Sequence, residues 1–597
     1  MRVQELGTST PIASYQFMIN RDDSGNTRDS VVDCFPDTNP DYPAGCNWAS
    51  VHSINGGTQQ GLVTQGDETH LNETIGINLP DGKYVISVIA AGHKIDGEHF
   101  SVPLPDTGLV TVQMYAMPLP LSTIRVRVFE DIAGTNGELD IPGEQGLAGF
   151  RALVEDVAGE VTTDWYGNPL CTEYALDSLG NPDPEQPIPG TGGVCLSDSN
   201  GDLVIPNLGP GRYEVSAIPP NGQTWYRTTT LEGGPGWDVW PQENNSGYET
   251  EIIIGGEAQP EIPMGFVKPT SCTTNPLAPV SCPTATGGIT GTVWSVKTYF
   301  PPVGGLFFGG NGGSSTNGVA LDKRVANPLV ALGALQGGDQ TVWMGRGNTN
   351  GTFTIQNVPN GNYVLTVWDT NQLQLLDFKQ VTVTGGQVTN AGDIMVAHWF
   401  GIIEGYIFVD TNENGIKDAG EFGIPNYALT LRKRDNALVD QFDRFATTNN
   451  SGYYTFRRVY PYLQWTVLEA YNDRYFTTGY TFKTDNQPTS TTVLGGGVDV
   501  SVFVGFGLTT RVDWGVKPYA AGTNGGIAGT VSYEVTRNEL DPRLAAIEDY
   551  QPGIPDLEMR LYAAKKDASG AFEFEADGSY KKGPLLNTYT TETWQRP

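Results

Sequence analysis

The sequence predicts an all-β chain, a tandem array of immunoglobulin-like or prealbumin-like β-sandwich domains. Three observations carry this expectation. Short alternating segments rich in β-branched and aromatic residues recur, as at 402–409 and 427–432, and no long stretch shows helical periodicity. Glycine (75 residues) and proline (40) together exceed a sixth of the 597 residues, the level required by many short strands joined by turns. One order of strand, loop, turn and strand also repeats along the chain.

The clearest unit opens with Gly405-Tyr-Ile-Phe and passes an acidic loop to Gly423-Ile-Pro-Asn-Tyr-Ala-Leu-Thr-Leu. It continues through Thr448-Asn-Asn-Ser-Gly-Tyr-Tyr-Thr-Phe and closes with Trp465-Thr-Val-Leu. The same order recurs at Ile124-Arg-Val-Arg-Val-Phe, Gly146-Leu-Ala-Gly-Phe, Asp198-Ser-Asn-Gly and Gly211-Arg-Tyr-Glu-Val. It recurs again at Gly291-Thr-Val-Trp, Asn348-Thr-Asn-Gly and Gly361-Asn-Tyr-Val-Leu. Only the closing part is clear near the start (Pro80-Asp-Gly-Lys-Tyr-Val-Ile), and only the opening part near the end (Gly529-Thr-Val-Ser, Gly553-Ile-Pro-Asp). A polar turn ending in glycine permits φ > 0, and the alternating residues after it return a strand with one buried face. Boundaries near 120, 286, 400 and 518 divide the chain into domains 1–120, 121–286, 287–400, 401–518 and an incomplete fifth, 519–597. The expected arrangement is a string of beads. Residues 268–283 read as a stiff linker and 304–318 as an inserted loop in the third unit.

Charge and cysteine usage narrow the setting. With 35 basic and 67 acidic residues the net charge is −32, which repels a phosphate backbone and excludes nucleic acid as a partner. No apolar run is long enough to span a membrane. The six cysteines form local couples, Cys34 with Cys46, Cys171 with Cys195 and Cys272 with Cys282. None makes a CxxC pair, so short-range disulfides in an oxidising compartment are expected. Met1-Arg-Val-Gln-Glu-Leu-Gly leads into polar residues instead of an apolar run, so the chain is expected to be a processed or trimmed piece of a secreted protein.

Residues 410–421 carry the most specific chemistry. Asp410, Asn412, Asn414 and Asp418 hold loop positions 1, 3, 5 and 9, Gly415 holds position 6 and Glu421 position 12. This is the spacing of an EF-hand-type Ca2+ loop, in which a hard cation gathers six to eight oxygens and the Ile416 carbonyl supplies one more. Strands flank the loop where an EF-hand has helices, so the motif reads as a clasp in a sandwich. A degraded copy stands in the second unit as Asp131, Asn136, Asp140 and Glu144, with one extra residue before Gly137. Weaker acidic candidates lie at 22–29 and 534–549, and the third unit has none.

The 405–478 unit resembles an SdrD B-like domain, the calcium-dependent relative of the Cna B-type and carboxypeptidase-regulatory-like sandwiches. Its strand, Asp-x-Asn-x-Asp-Gly-x-x-Asp-x-x-Glu loop, Gly-Ile-x-Gly segment and Asp-x-x-Gly-x-Tyr-x-Phe turn are nearly all matched. Asn414 replaces an aspartate, and Asn450 stands where an acidic turn residue is common. The 124–230 and 289–385 units resemble the family more loosely. The resemblance implies surface-exposed stalk or adhesin modules on microbes, stiffened by calcium. Related Cna B-type domains form Lys–Asn isopeptide bonds, but the first strands here carry no lysine apart from Lys297.

No catalytic constellation appears: there is no Gly-x-Ser-x-Gly elbow, no His-Glu-x-x-His helix and no phosphate-binding glycine loop. His93 and His99, with Asp96 and Glu98, read as exposed residues about a hairpin turn at Asp96-Gly97. The expected role is therefore that of a non-enzymatic, secreted, calcium-stabilised stalk, adhesin or extracellular filament subunit. Its expected partners are further copies of the chain or other surface proteins, with a host or glycan ligand as a further class. The rival expectation is a carbohydrate- or protein-binding module array of a larger extracellular enzyme. Trp225, Trp237 and Trp240, in a loop-like stretch, are its candidate sugar platforms, with core or edge packing as their ordinary role.

Overall fold

The structure is a computed structural model. It describes the chain outside residues 22–50, 54–61, 210–212, 230–236, 240–260, 271–284, 299–318, 435–439, 460–465, 523–556 and 592–597 and some shorter stretches. Among the described residues all regular structure is strand, apart from a three-residue 3-10 turn at Leu335–Gly337. No helix there is long and apolar enough to cross a membrane. The chain is an all-β tandem array of sandwiches. Four apolar cores follow one another among the described residues, drawn from 1–114, 124–266, 289–396 and, with Val51 added, 403–516, and define the first to fourth units.

One pairing is common to all four. The opening strand lies parallel to the closing strand: Arg2–Glu5 with Thr111–Met114, Ser122–Glu130 with Ile262–Val267, Gly287–Thr298 with Val388–Ala397, and Gly401–Val409 with Thr509–Pro518. In the last three units the opening strand's other edge takes the strand that follows the glycine turn, Asp202–Leu208, Thr352–Val358 or Tyr453–Val459. The facing sheet is built on Arg151–Asp156 with Tyr213–Ile218, Leu329–Ala334 with Gly361–Trp368, and Ala428–Arg434 with Thr466–Glu469. Alternation does the rest: Tyr363, Leu365 and Val367 enter one core as Tyr84, Ile86 and Val88 enter another. A buried phenol needs a partner, and Tyr84, Tyr213 and Tyr363 each donate to the carbonyl four residues back, Pro80, Gly209 and Pro359, at 2.7–2.9 Å.

The glycine turn is tied to the opening strand by one recurring bond. The N–H groups of Val128, Val293 and Ile407 donate to the carbonyls of Gly201, Gly351 and Gly452 at 2.8–2.9 Å. Gly452 has φ 77°, and a Cβ there would stand 2.3 Å from the Ile407 carbonyl oxygen, so only glycine permits the approach. Its turn is closed by Asn449, whose Oδ1 accepts the N–H of Ser451 and Tyr453.

Several other expectations are refined. Cys171 and Cys195 form a disulfide, while both remaining cysteine couples, the 268–283 linker beyond Thr270 and the 304–318 loop lie outside the described residues. Asp96-Gly97 is not a turn but the start of strand Asp96–Val102; the chain reverses at Ala91-Gly92, where Gly92 supplies φ 74°. Trp237 lies on strand Trp237–Val239 instead of in a loop, paired with Tyr213–Val215. Trp225 packs edge-on against Phe150, with the Lys268 ammonium 4.1 Å from its ring centroid, and Trp240 is outside the described residues. Lys297 is held by Asp485 at 2.8 Å, an ion pair that crosses to the fourth unit.

The beads also touch more than a string requires. Trp368 of the third unit donates its indole N–H to the Arg227 carbonyl of the second at 2.8 Å. Arg458 of the fourth unit reaches both oxygens of Glu214 in the second. The fourth unit's outer sheet runs Asp440–Thr447, Ala428–Arg434, Thr466–Glu469, Asp499–Val502, and its last strand pairs with Val51–Ser53 from the first unit's stretch of sequence.

Two outcomes follow for thermal unfolding. Gly452→Ala lowers stability by more than about 1 kcal/mol, because φ and space both exclude a side chain. The double change Cys171→Ser, Cys195→Ser frees a loop of 24-residue separation and costs the second unit about 3 kcal/mol, read as a lower melting temperature of that unit alone.

Candidate metal site: two acidic loops on the last rung of the parallel ladder

Each loop begins where the opening strand leaves its sheet. The Asp410 N–H donates to the Val516 carbonyl, and the Asp131 N–H to the Phe266 carbonyl, both at 3.0 Å, so each loop's first aspartate continues the opening–closing strand ladder by one rung. Both aspartates are fully buried. A buried carboxylate must be satisfied, and the loops solve this identically. Asp410 Oδ1 accepts the Asn414 N–H at 3.1 Å, and Oδ2 accepts the Gly415 N–H at 2.8 Å and the Thr478 hydroxyl at 2.5 Å. Asp131 Oδ1 accepts the Asn136 N–H at 3.2 Å, and Oδ2 the Gly137 N–H at 2.8 Å. Gly415 turns with φ 71°, and a threonine hydroxyl caps each glycine carbonyl: Thr481, on strand Tyr475–Thr484, at 2.6 Å on Gly415, and Thr229, just beyond strand Tyr226–Arg227, at 2.9 Å on Gly137.

The closing glutamates match as well. Glu421 Oε1 accepts the Thr411 N–H at 2.8 Å and its hydroxyl at 2.9 Å, while Oε2 accepts the Asp418 N–H at 3.0 Å. Glu144 Oε1 accepts the N–H of Ile132 and Ala133, and Oε2 that of Asp140 at 2.8 Å. Between them, Asn412 and Asn414 each donate an amide N–H to Asp418 Oδ2 at 2.9 Å; Asn136 does the same to Asp140 Oδ2 at 2.9 Å. The two asparagine amides hold the Asp418 carboxyl below its ordinary range. Ile416 is half-exposed, and its N–H donates to Asn414 Oδ1.

The two loops differ in their electrostatics. Burial, then the charge of Glu144, drives the Asp131 carboxyl far up, and burial raises Glu144 to about 7. Their surroundings explain this. The 131–144 loop packs on the third unit: the Thr341 N–H donates to the Ile132 carbonyl at 2.8 Å, and the Thr135 and Thr341 hydroxyls meet at 2.7 Å. Ile132 joins an apolar cluster of Val267, Leu329, Ala331, Met344, Trp368 and Leu376. Asp339 of the third unit is raised to about 6 by burial and then by the charge of Asp140. The second loop is thus part of a joint between units, which no sequence signal marked.

Every side chain in the two sets offers oxygen, which suits a hard cation over a transition metal. Among the described residues no group of three or more His, Cys, Asp or Glu side chains forms a metal cage. In both loops Asp and Glu oxygens are turned onto backbone N–H groups, and amide N–H groups neutralise the central aspartate. Asn412 and Asn414 keep their amide oxygens within the loop, on the N–H groups of Asn414 and Ile416, so the donor set is of the all-oxygen kind that calcium takes. The stretches 22–29 and 534–549 lie outside the described residues. His93 lies 3.5 Å from Glu5, away from any metal cluster.

Residues 401–494 match the SdrD B-like domain family, and residues 326–391 match domain II of polysaccharide lyase family 4. The chain is similar to serine-aspartate repeat-containing protein F of Staphylococcus epidermidis, 23% identical over 269 residues, covering 44% of this chain and 14% of that protein. It is also similar to serine-aspartate repeat-containing protein D of Staphylococcus aureus strain Newman, 25% identical over 219 residues, covering 32% of this chain and 16% of that one. The chain therefore spans only a small part of these relatives. Among solved structures it aligns with BcpA, the major pilin subunit of Bacillus cereus, at 10% identity and TM-score 0.14, over 66% of this chain and 99% of that one. The Bacillus anthracis TIE protein aligns at 10% identity and TM-score 0.15, over 85% and 69%. Structural likenesses of that size carry no inference. By its sequence match, the stretch 401–494 is an SdrD B-like domain, and its strand order is shared by the second and third units.

Proposed function

We propose that the chain is a secreted, non-catalytic, calcium-stabilised module array of a cell-surface stalk, adhesin or extracellular filament. The observation that supports this most is the duplicated loop: one design of buried Asp, glycine turn, central Asp and closing Glu sits on the same ladder rung in two units. Asp410, Asn412, Asn414, Asp418 and Glu421, with the Ile416 carbonyl, hold one ion. Asp131, Asn136, Asp140 and Glu144 hold a second. The ion does no chemistry on a substrate; it neutralises crowded carboxylates and fixes the loop to the end of the opening strand. In the second unit the same loop bears on the third, so calcium there stiffens a joint. Partners of such an array are further copies or other surface proteins, and its surface charge of −32 keeps it solvated.

A second reading has one specific observation behind it. The 326–391 match to a polysaccharide lyase domain fits a non-catalytic module of an extracellular enzyme. Saturable binding on a glycan array supports that reading; a blank array supports the stalk.

Calcium removal gives the direct test. EDTA lowers the melting temperature and speeds protease cutting near 410–421, and unchanged melting and cutting contradict the proposal. Two variants then separate ligand from scaffold. The Asp418 carboxylate is exposed and accepts the two amides, so Asp418→Asn leaves metal-free melting nearly unchanged yet weakens calcium binding on the order of tenfold in calorimetry. Asp410→Ala also destabilises the metal-free protein, because the Asn414 and Gly415 N–H groups and the Thr478 hydroxyl lose their acceptor, at roughly 1–3 kcal/mol per orphaned group.

A further inference from the structure

The edge of the fourth unit's outer sheet is completed by residues that belong, in sequence, to the first. Val51–Ser53 runs antiparallel to Asp499–Val502, with Val51 opposite Val502, His52 opposite Ser501 and Ser53 opposite Val500. Val51 is 1% exposed and lies in the fourth unit's own core with Val500, Val502, Leu468 and Leu431. Residues directly opposite in a ladder share a face, so Val51 adds a core side chain to a sandwich whose other strands all come from 401–518. Strands Gln16–Arg21 and Leu62–Asp67 of the first unit are antiparallel neighbours that meet at Asn20 and Leu62, so in sequence Val51–Ser53 falls between two paired strands of another unit.

We propose that Asp499–Val502 is a strand-acceptor site and that the Val51–Ser53 strand of a second copy occupies it when copies are crowded. The contact uses main-chain pairing plus one buried β-branched side chain, the form of strand addition at an exposed sheet edge. It is the same whichever chain supplies the strand, and exchange of an identical element is a low-cost route to assembly. Donor and acceptor lie on different units, so an exchanged contact is heterologous. Reciprocal exchange closes a ring of copies, whereas one-way exchange leaves a donor free at one end and an acceptor at the other and propagates head to tail; a mass ladder is the mark of the second. This deepens the filament variant of the proposed function, but it rests on strand register and not on calcium.

The test uses full-length chains of two isotopic compositions. A 15N-labelled chain with His52 replaced by p-benzoylphenylalanine is mixed with unlabelled chain at high concentration, irradiated and digested. Cross-links from labelled position 52 to unlabelled peptides containing 499–502, with a mass ladder that shortens on dilution, are expected. Val51→Asp, on the donor strand, abolishes the ladder. A synthetic peptide of residues 48–56 caps the acceptor and shortens the ladder of the unaltered chain. Cross-links confined to the labelled chain at every concentration overturn the proposal, as does a ladder that persists unchanged in Val51→Asp. Calcium binding measured on the same samples keeps the two readings apart: a missing ladder with calcium binding intact removes strand exchange alone.

Discussion

The parallel pairing of opening and closing strands is the constraint on which the rest of each unit depends. In the second to fourth units it places the first strand in the middle of its sheet, bonded on one edge to the last strand and on the other to the strand after the glycine turn. The chain's two ends therefore leave the unit from neighbouring strands. Whatever follows the opening strand must start from a buried rung, where a backbone N–H is spent on the closing strand. An aspartate there is enclosed by the sandwich it has just helped to build, and it satisfies itself with the N–H groups of the loop it begins.

That geometry makes the acidic loop a lid on the end of the ladder. In the fourth unit the lid is exposed at Asn412 and Asp418, and its central carboxylate is balanced by amides. In the second unit it is pressed between sheets, and burial drives Asp131 and Glu144 towards their neutral forms. Two buried acids held close together are costly as anions, and a cation relieves the crowding. One loop design thus serves two settings: an exposed clasp in one unit and a hinge seat in another, where Ile132 and Thr135 bear on Thr341.

Much of this was legible in the chain's local patterns. The strands flanking the loop were read at 402–409 and 427–432 and stand at Gly401–Val409 and Ala428–Arg434, because alternation and β-branching are local signals. The Asp410 and Asp131 loops were found from spacing alone, since a loop that curls on itself must place its oxygens at fixed intervals. Competing local signals misled: Asp96-Gly97 reads as a hairpin turn, yet Gly92 had already turned the chain, and Gly97 became a strand residue. Long-range contacts left no trace. Nothing in Val51, Glu214 or Thr341 announces a partner hundreds of residues away, because a lone valine, a surface acid and a threonine look alike wherever they pack.

The central claim is that calcium in the second unit's loop holds that unit against the third. Hydrogen exchange of the Thr341 amide, which donates to the Ile132 carbonyl, reads that joint directly in calcium and in EDTA. Calcium is predicted to slow exchange at Thr341 together with exchange across 131–144. Slower exchange within the loop, with Thr341 unchanged, would contradict the account, leaving an ion that orders its own loop and no more.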